Sequence, residues 1–369
     1  MKKARSIVAV LLAVVLVLAL AGCGGGAAAT SKAAAATTAA ATQAATTTTA
    51  ATTTAASTTA AAATTGAAKP AGDVKVAYLL PSSNVEFWLY IEAGIKEKCD
   101  SYGYSFKAFD SQNEANTQLK NAQNAITQGY NLLIISPLDS SSCPAVLDEA
   151  EAANVPVIIA DVGTESGKYA SYISTPNEDG AKQVGEYFAK YLKENNLKGT
   201  IGEITIPLSR LNGQLRQKGF KTAVEAAGFK MGTSLSCSTS TYDESEGFTQ
   251  NIVNGDPNLI GIWSHQATST IGVVTALEGA DLIGKVKVAC FDGSPEIVQY
   301  IRDKKVTVCG AQQPVEMGRK ALEAGKVCLD GGTPEREIGV PVLLITEENV
   351  NQEMATIEKT VYTDVQNLK

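Results

Sequence analysis

The chain has 369 residues and a formal net charge of −7 at pH 7, from 31 Lys and Arg against 38 Asp and Glu, without a basic cluster. That balance argues against nucleic acid or an anionic lipid surface as partner and mainly serves solubility. One His, and seven Cys with no C-x-x-C pair, leave a zinc-type site unsupported.

The first 22 residues read as a targeting segment. Lys2, Lys3 and Arg5 form a positive start, and Ile7–Leu20 an apolar stretch. It ends in Leu20-Ala21-Gly22-Cys23, which resembles the lipobox of bacterial lipoproteins. That resemblance implies cleavage before Cys23, a lipid on its sulfur, and a mature chain anchored to the outer face of the cell membrane, extracellular or periplasmic. A plain signal peptide or a single membrane anchor is the alternative. Residues 23–71 are nearly pure Ala and Thr with no repeating apolar face, so they cannot offset their ordering entropy and read as a tether. A flexible chain of that length reaches roughly 35–40 Å.

Globular composition begins at Gly72. Val74–Leu80 has the character of a buried strand, Pro81–Asn84 of a turn, and Phe87, Tyr90, Ile91, Ile95 and Cys99 recur at helical spacing. Ligands of open α/β sheets bind beyond the carboxyl ends of the strands. Here that loop offers Ser82, Ser83 and Asn84 as hydrogen-bonding groups and Phe87 and Trp88 as flat apolar surfaces. Further strands are expected at Ser105–Phe109, Asn131–Ile135, Pro156–Ala160, Ala170–Ile173, Thr200–Ile204, Leu259–Trp263, Val286–Phe291, Val306–Cys309 and Val340–Ile345. Helical patterns fill the gaps, notably Asn116–Gly129, Gly180–Lys193, Leu211–Ala227, Phe248–Asn254, Thr268–Gly279 and Pro314–Ala324. This alternation predicts an α/β protein with parallel sheets, and about 300 residues suggest two lobes. No G-x-G-x-x-G follows the first strand and no G-x-x-x-x-G-K-[ST] occurs, so no nucleotide cofactor is indicated. Besides Cys23, the six cysteines permit disulfides in an exported protein. Cys290 and Cys309 sit in apolar runs like core residues, and we read the six as free buried thiols.

The strand ends carry a recurring kind of residue: Asp110 and Gln112 in AFDSQNEAN, Asp139 and Ser140 in IISPLDSS, Asp161 in VPVIIAD, Asp292 in VACFDGSPE, Gln312 in VCGAQQP. In this order the motifs resemble the ribose-type (type I) periplasmic binding proteins of sugar ABC transporters, over Val74 to Ile345. The resemblance implies a two-lobed type I periplasmic-binding-protein fold, each lobe a parallel sheet flanked by helices, with a three-crossing hinge. The first lobe would comprise 72–175 plus 314–341 and the second 176–313 plus 342–369, with crossings near Thr175, Gln313 and Pro341. It further implies a monomer without cofactor that closes on a sugar or polyol and delivers it to an ABC permease. The alternative is a sensory binding protein that presents its ligand to a chemoreceptor or membrane kinase.

Carried over by motif, the ligand-binding positions are Asn84, Phe87, Trp88, Asp161, Gln214, Tyr242, Gln266, Asp292 and Gln312. Aromatic faces suit the C–H face of a sugar ring, and carboxylates grip hydroxyl pairs. Core packing for Phe87 and Trp88, and helix capping for the two Asp, are the structural alternatives. The chain departs from the family at Val162, where an Arg is expected, and at Gln214, which aligns with a second-lobe Arg; Arg210 and Arg216 lie close by and are the alternatives if that alignment slips. The arginine forks that clamp hydroxyls are therefore expected to be absent, with Ser82, Ser83, His265 and Gln266 as neutral substitutes. His265 is as well suited to the surface or a cap as to the ligand. No nucleophile–base pair or metal set accompanies these residues, so no enzyme is expected. A glycosidase-like role for Asp161 and Asp292 is the weaker reading, since the resemblance implies clamping without chemistry.

Overall fold

The computed structural model describes residues 74–239 and 241–366; the leader, Cys23 and the tether lie outside the described residues. Chain order is β1 (Lys75–Leu80), α1 (Glu86–Tyr102), β2 (Ser105–Asp110), α2 (Ala115–Thr127), β3 (Leu132–Ile135), α3 (Cys143–Ala152), β4 (Val157–Ala160), β5 (Ser171–Ser174), α4 (Asn177–Glu194), β6 (Thr200–Thr205) and α5 (Leu211–Ala226). It continues with β7 (Lys230–Ser236), α6 (Tyr242–Gly255), β8 (Leu259–Ser264), α7 (Ala267–Gly279), β9 (Lys287–Phe291), α8 (Pro295–Arg302), β10 (Val308–Ala311), α9 (Pro314–Leu329), β11 (Glu337–Gly339), β12 (Leu343–Thr346) and α10 (Met354–Thr360).

Two six-stranded sheets result, ordered β11-β5-β4-β3-β1-β2 and β12-β10-β9-β8-β6-β7. Each sheet is buried on both faces, which explains why its inner strands are continuous apolar runs. Along β1, Val76, Tyr78 and Leu80 enter one core with α1 and α9, whereas Ala77 and Leu79 enter the other with α2 and α3. The second sheet divides likewise, with Ile262, Val288 and Ile297 on one side and Phe188, Phe220, Trp263 and Phe291 on the other. In each lobe one helix pair packs almost backbone to backbone. A Cβ at Gly318 would collide with the Ile91 carbonyl of α1, and one at Gly219 with the Glu178 carbonyl of α4. All six cysteines among the described residues are free thiols; Cys328 is partly exposed and the others are buried.

The chain leaves the first sheet after β5, returns to it after β10 through α9 and β11, and leaves again between β11 and β12. The fold is therefore two-lobed with three crossings. One strand departs from the all-parallel expectation: β12 runs antiparallel to β10, pairing Leu343 with Ala311. The reason is positional. β12 starts at the crossing where β10 ends, so it must run back along it. The edge strand β7 and the short β11 were not predicted. KMGTSLS in β7 is largely exposed, so it lacks the apolar run that marks an inner strand. The tail, read as second-lobe sequence, divides: Ile357 and Val361 join the second core, but Val365 packs into the first.

Candidate functional site

A cavity of about 410 Å³ opens where the carboxyl ends of the two sheets face each other. Phe87, Trp88, Leu138, Asp139 and Asp161 line it from the first lobe; Arg210, Asn212, Arg216, Gln266 and Asp292 from the second; and Gln312 from a crossing. Asp161, Asp292 and Gln312 each stand one residue past a strand, β4, β9 and β10 respectively. Both Asp residues adopt the left-handed region, φ 73° and φ 68°. Asp tolerates that conformation because its short side chain bonds locally, and such outliers concentrate at functional sites.

Asp292 is held at both oxygens: Gln312 Nε2 donates to Oδ1 at 2.6 Å, and Arg216 Nη1 reaches Oδ2 at 3.4 Å. Asp161 accepts from Asn212 Nδ2 at 3.2 Å through Oδ2. Its Oδ1 and the Oε1 of Gln312 are buried without a hydrogen-bond partner. Unsatisfied acceptors of this kind are costly unless something donates to them. Burial raises the Asp161 carboxyl to about 6; Arg216 opposes the rise, Asp292 adds to it and Arg210 opposes it.

Arg216 organises the second-lobe floor. It is 2% exposed. Its Nε donates to Asn177 Oδ1 at 2.8 Å, Nη1 donates to the His265 carbonyl at 2.6 Å, and the guanidinium lies 4.3 Å from the Phe291 ring centroid. Asn177 in turn donates to the Thr175 carbonyl at the first crossing. His265 is fully buried behind this floor, with Nε2 3.0 Å from Glu203 Oε1. Burial lowers its pKa, the Glu203 hydrogen bond opposing, so the neutral ring donates from Nε2 to a carboxylate that can only accept. Glu203 lies below the usual carboxylate value: burial raises it, but bonds from His265, Ser234 and Gln217 outweigh that. The single His is therefore neither surface nor cap nor ligand wall; it supports Arg216 from below.

The aromatic pair serves two ends. Phe87 and Trp88 meet edge to face at 5.0 Å between centroids, line the cavity, and close the end of the first core. Gln266 lines the cavity and donates to Ser269 Oγ at 3.2 Å.

Three expected positions are not brought there. Asn84 is exposed on the first loop, its backbone N–H donating to Ser82 Oγ. Ser83 donates to Asp110 Oδ2 at 2.6 Å, so Ser82 and Ser83 brace that loop outside the cavity lining. Tyr242 opens α6, half-buried and off the lining. Gln214 is exposed and donates to the Leu208 carbonyl. Its displacement is a matter of helical phase. The buried face of α5 carries Asn212, Arg216, Gly219, Phe220 and Ala223, and Gln214 points away from it. The expectation of absent arginines is therefore corrected: Arg210 and Arg216 both reach the cavity. Val162, the other departure, is fully buried in the first core. The i, i+4 spacing of Asn212 and Arg216, continued by Phe220, was the sequence signal that would have found them.

Residues 210–212 bridge the lobes. Arg210 Nε donates to the Leu138 carbonyl at 2.8 Å, and the Leu211 N–H donates to Ser140 Oγ at 3.2 Å. With the Asn212–Asp161 bond, these contacts define a closed arrangement.

Residues 76–333 match the model of the periplasmic binding protein domain. The chain is 29% identical over 281 residues to the ribose import binding protein RbsB of Escherichia coli (strain K12), covering 74% of this chain and 90% of that protein. It is 28% identical over 272 residues to the RbsB of Bacillus subtilis (strain 168), covering 72% and 85%. Among solved structures, a galactofuranose binding protein superposes with a TM-score of 0.72 at 21% identity, covering 78% of this chain and 100% of that one. The chain belongs to the periplasmic binding protein domain family, in its ribose-type (type I) branch.

Proposed function

We propose that the chain is the substrate-binding component of an ABC importer, which captures a neutral sugar or sugar-like polyol between its lobes and delivers it to the permease. The observation that carries this reading is the pair of buried, partnerless acceptors, Asp161 Oδ1 and Gln312 Oε1, lining one cavity with Trp88. Hydroxyl groups supply the missing donors, and the aromatic wall accepts the apolar face of a ring. Within that cavity the carboxylates of Glu114, Asp139, Asp161 and Asp292 outnumber the guanidiniums of Arg210 and Arg216. An acidic lining disfavours an anion and suits a ligand that donates hydrogen bonds, as hydroxyl groups do. The printed names of relatives, which include ribose and galactofuranose binding, support the same class.

The lobes in this reading are 72–175 with 314–341 and 176–313 with 342–369, with Val365 of the tail packed against the first core. The leader directs export and is removed, the lipid on Cys23 ties the domain to the membrane, and the Ala/Thr segment gives it reach. Ligand contacts from both lobes favour the closed state, and the permease reads that state.

A thermal-shift series of the chain with D-ribose, D-allose, D-galactose, L-arabinose and myo-inositol tests the reading. A ligand at a hundred times its Kd adds about 2.7 kcal/mol, which raises the midpoint by several degrees. No shift with any of them, or a shift with anions such as ribose 5-phosphate alone, would overturn it.

A further inference from the structure

We infer that Arg210 is a specificity-determining residue that completes the cleft only when the lobes close, so that one end of the ligand is read by a guanidinium absent from the open state. The inference rests on the cleft being the sugar site proposed above.

The two cavity arginines differ in how they are held. Arg216 is fixed entirely by its own lobe and the first crossing, through Asn177, the His265 carbonyl and Asp292. Nothing in those contacts changes when the lobes part. Arg210 has the opposite character. It precedes α5 in an extended conformation, φ −93° and ψ 127°, and its side chain leaves its own lobe. Nε donates to the Leu138 carbonyl, the guanidinium carbon lies 5.7 Å from the Trp88 ring centroid, and both partners belong to the first lobe. Burial and the like charge of Arg216 disfavour its cation, and the first-lobe carboxylates of Asp161 and Asp139 offset them in part.

The next two residues make the same crossing, through Leu211 to Ser140 and Asn212 to Asp161. Three consecutive residues thus dock as one piece against the loop after β3 and the end of β4. Opening removes all three at once. The Arg216–Asp292–Gln312 end is therefore built in advance, whereas the Asp161–Trp88 end gains its cation on closure. A ligand first meets the preformed end, and the second end governs how long it stays.

The test is stopped-flow tryptophan fluorescence on the full chain, its Arg210→Ala variant and its Arg210→Lys variant, with D-ribose, D-allose and myo-inositol as probes. Trp88 lies beneath Arg210 and reports closure directly. Arg210→Ala is expected to speed dissociation about tenfold or more while association stays within about threefold, since a charged hydrogen bond made after encounter acts on residence time. The ratio of dissociation rates among the three probes should narrow in the same variant. Arg210→Lys keeps the charge but not the fork, and should leave dissociation fast. Unchanged dissociation in Arg210→Ala overturns the inference. So does an equal loss for all probes accompanied by a lower ligand-free midpoint, which marks a purely structural role. A wild-type chain that binds none of the probes overturns the sugar reading itself, and this inference with it.

Discussion

Replacing Asp161 with Asn removes a carboxylate that the fold holds at a disadvantage. Its Oδ1 is buried without a donor, and burial lifts the group from 3.8 to about 6. The folded chain therefore binds this proton more tightly than the unfolded chain. By linkage the group costs nothing below the unfolded pKa, and its full penalty applies above about 6. A rise of about two units corresponds to about 3 kcal/mol. Asn accepts the left-handed φ of 73° and its amide oxygen still accepts from Asn212, but it buries an NH2 without a partner, worth about 1 kcal/mol in the other direction. The net expectation for the closed, ligand-free arrangement is a gain of about 2 kcal/mol at pH 7.5, or roughly 3 °C in midpoint for about 300 residues. That gain should shrink as pH falls through 6 and turn into a small loss near pH 4, where only the unpaired NH2 remains. Differential scanning calorimetry of both proteins from pH 4 to 8 measures it directly. Ligand affinity should move the opposite way: a hydroxyl donating to the carboxylate favours its charged form, so wild-type binding weakens as pH falls through about 6. A midpoint difference that is constant with pH, or largest at pH 4, would refute the reasoning.

Asp292→Asn keeps the local conformation but withdraws the charge facing Arg216, which is 2% exposed. Affinity for the sugar found by thermal shift should drop by about 2 kcal/mol, close to thirtyfold, by titration calorimetry; a change under twofold would place Asp292 outside the site. Trp88→Ala removes both a cavity wall and a core residue. It should lower stability by about 3–5 kcal/mol in urea melts and weaken binding as well; intact affinity at lower stability would make Trp88 core alone. Gly318→Ala forces a Cβ against the Ile91 carbonyl and should destabilise by about 1–3 kcal/mol, with sugar selectivity unchanged. A neutral melt there would mean that α1 and α9 separate more easily than their packing suggests.

Much of the fold was legible in the amino-acid sequence because parallel sheets covered on both faces need unbroken apolar strands. VKVAYLL, NLLII and VPVIIA are such strands, and helical patterns separate them. What escaped was structure without that pressure. The exposed edge strand β7 carries no apolar run, and the reversal of β12 follows from where a crossing delivers the chain rather than from residue type. The site divides along the same line. Asp161, Asp292 and Gln312 were visible because each punctuates the end of a strand. Arg210 and Arg216 stood beside the aligned position but were passed over for Gln214, because position around α5 was counted by motif alignment. Helical phase, set by Asn212, Arg216 and Phe220, places Gln214 on the outer face. Arg210 offered no local signal, since its partners Leu138 and Trp88 come from distant parts of the chain.

The crossing between β11 and β12 bounds how the molecule can move. Gly339 and Leu343 are both fixed in sheets of different lobes, with only three residues between them. That stretch spans at most about 14 Å when fully extended. The lobes therefore cannot slide apart; they can only pivot, as two jaws on a short leather strap. Displacement then grows with distance from the strap. Small angles there suffice to admit a solute, and the ligand's grip on both jaws acts through the longest available lever.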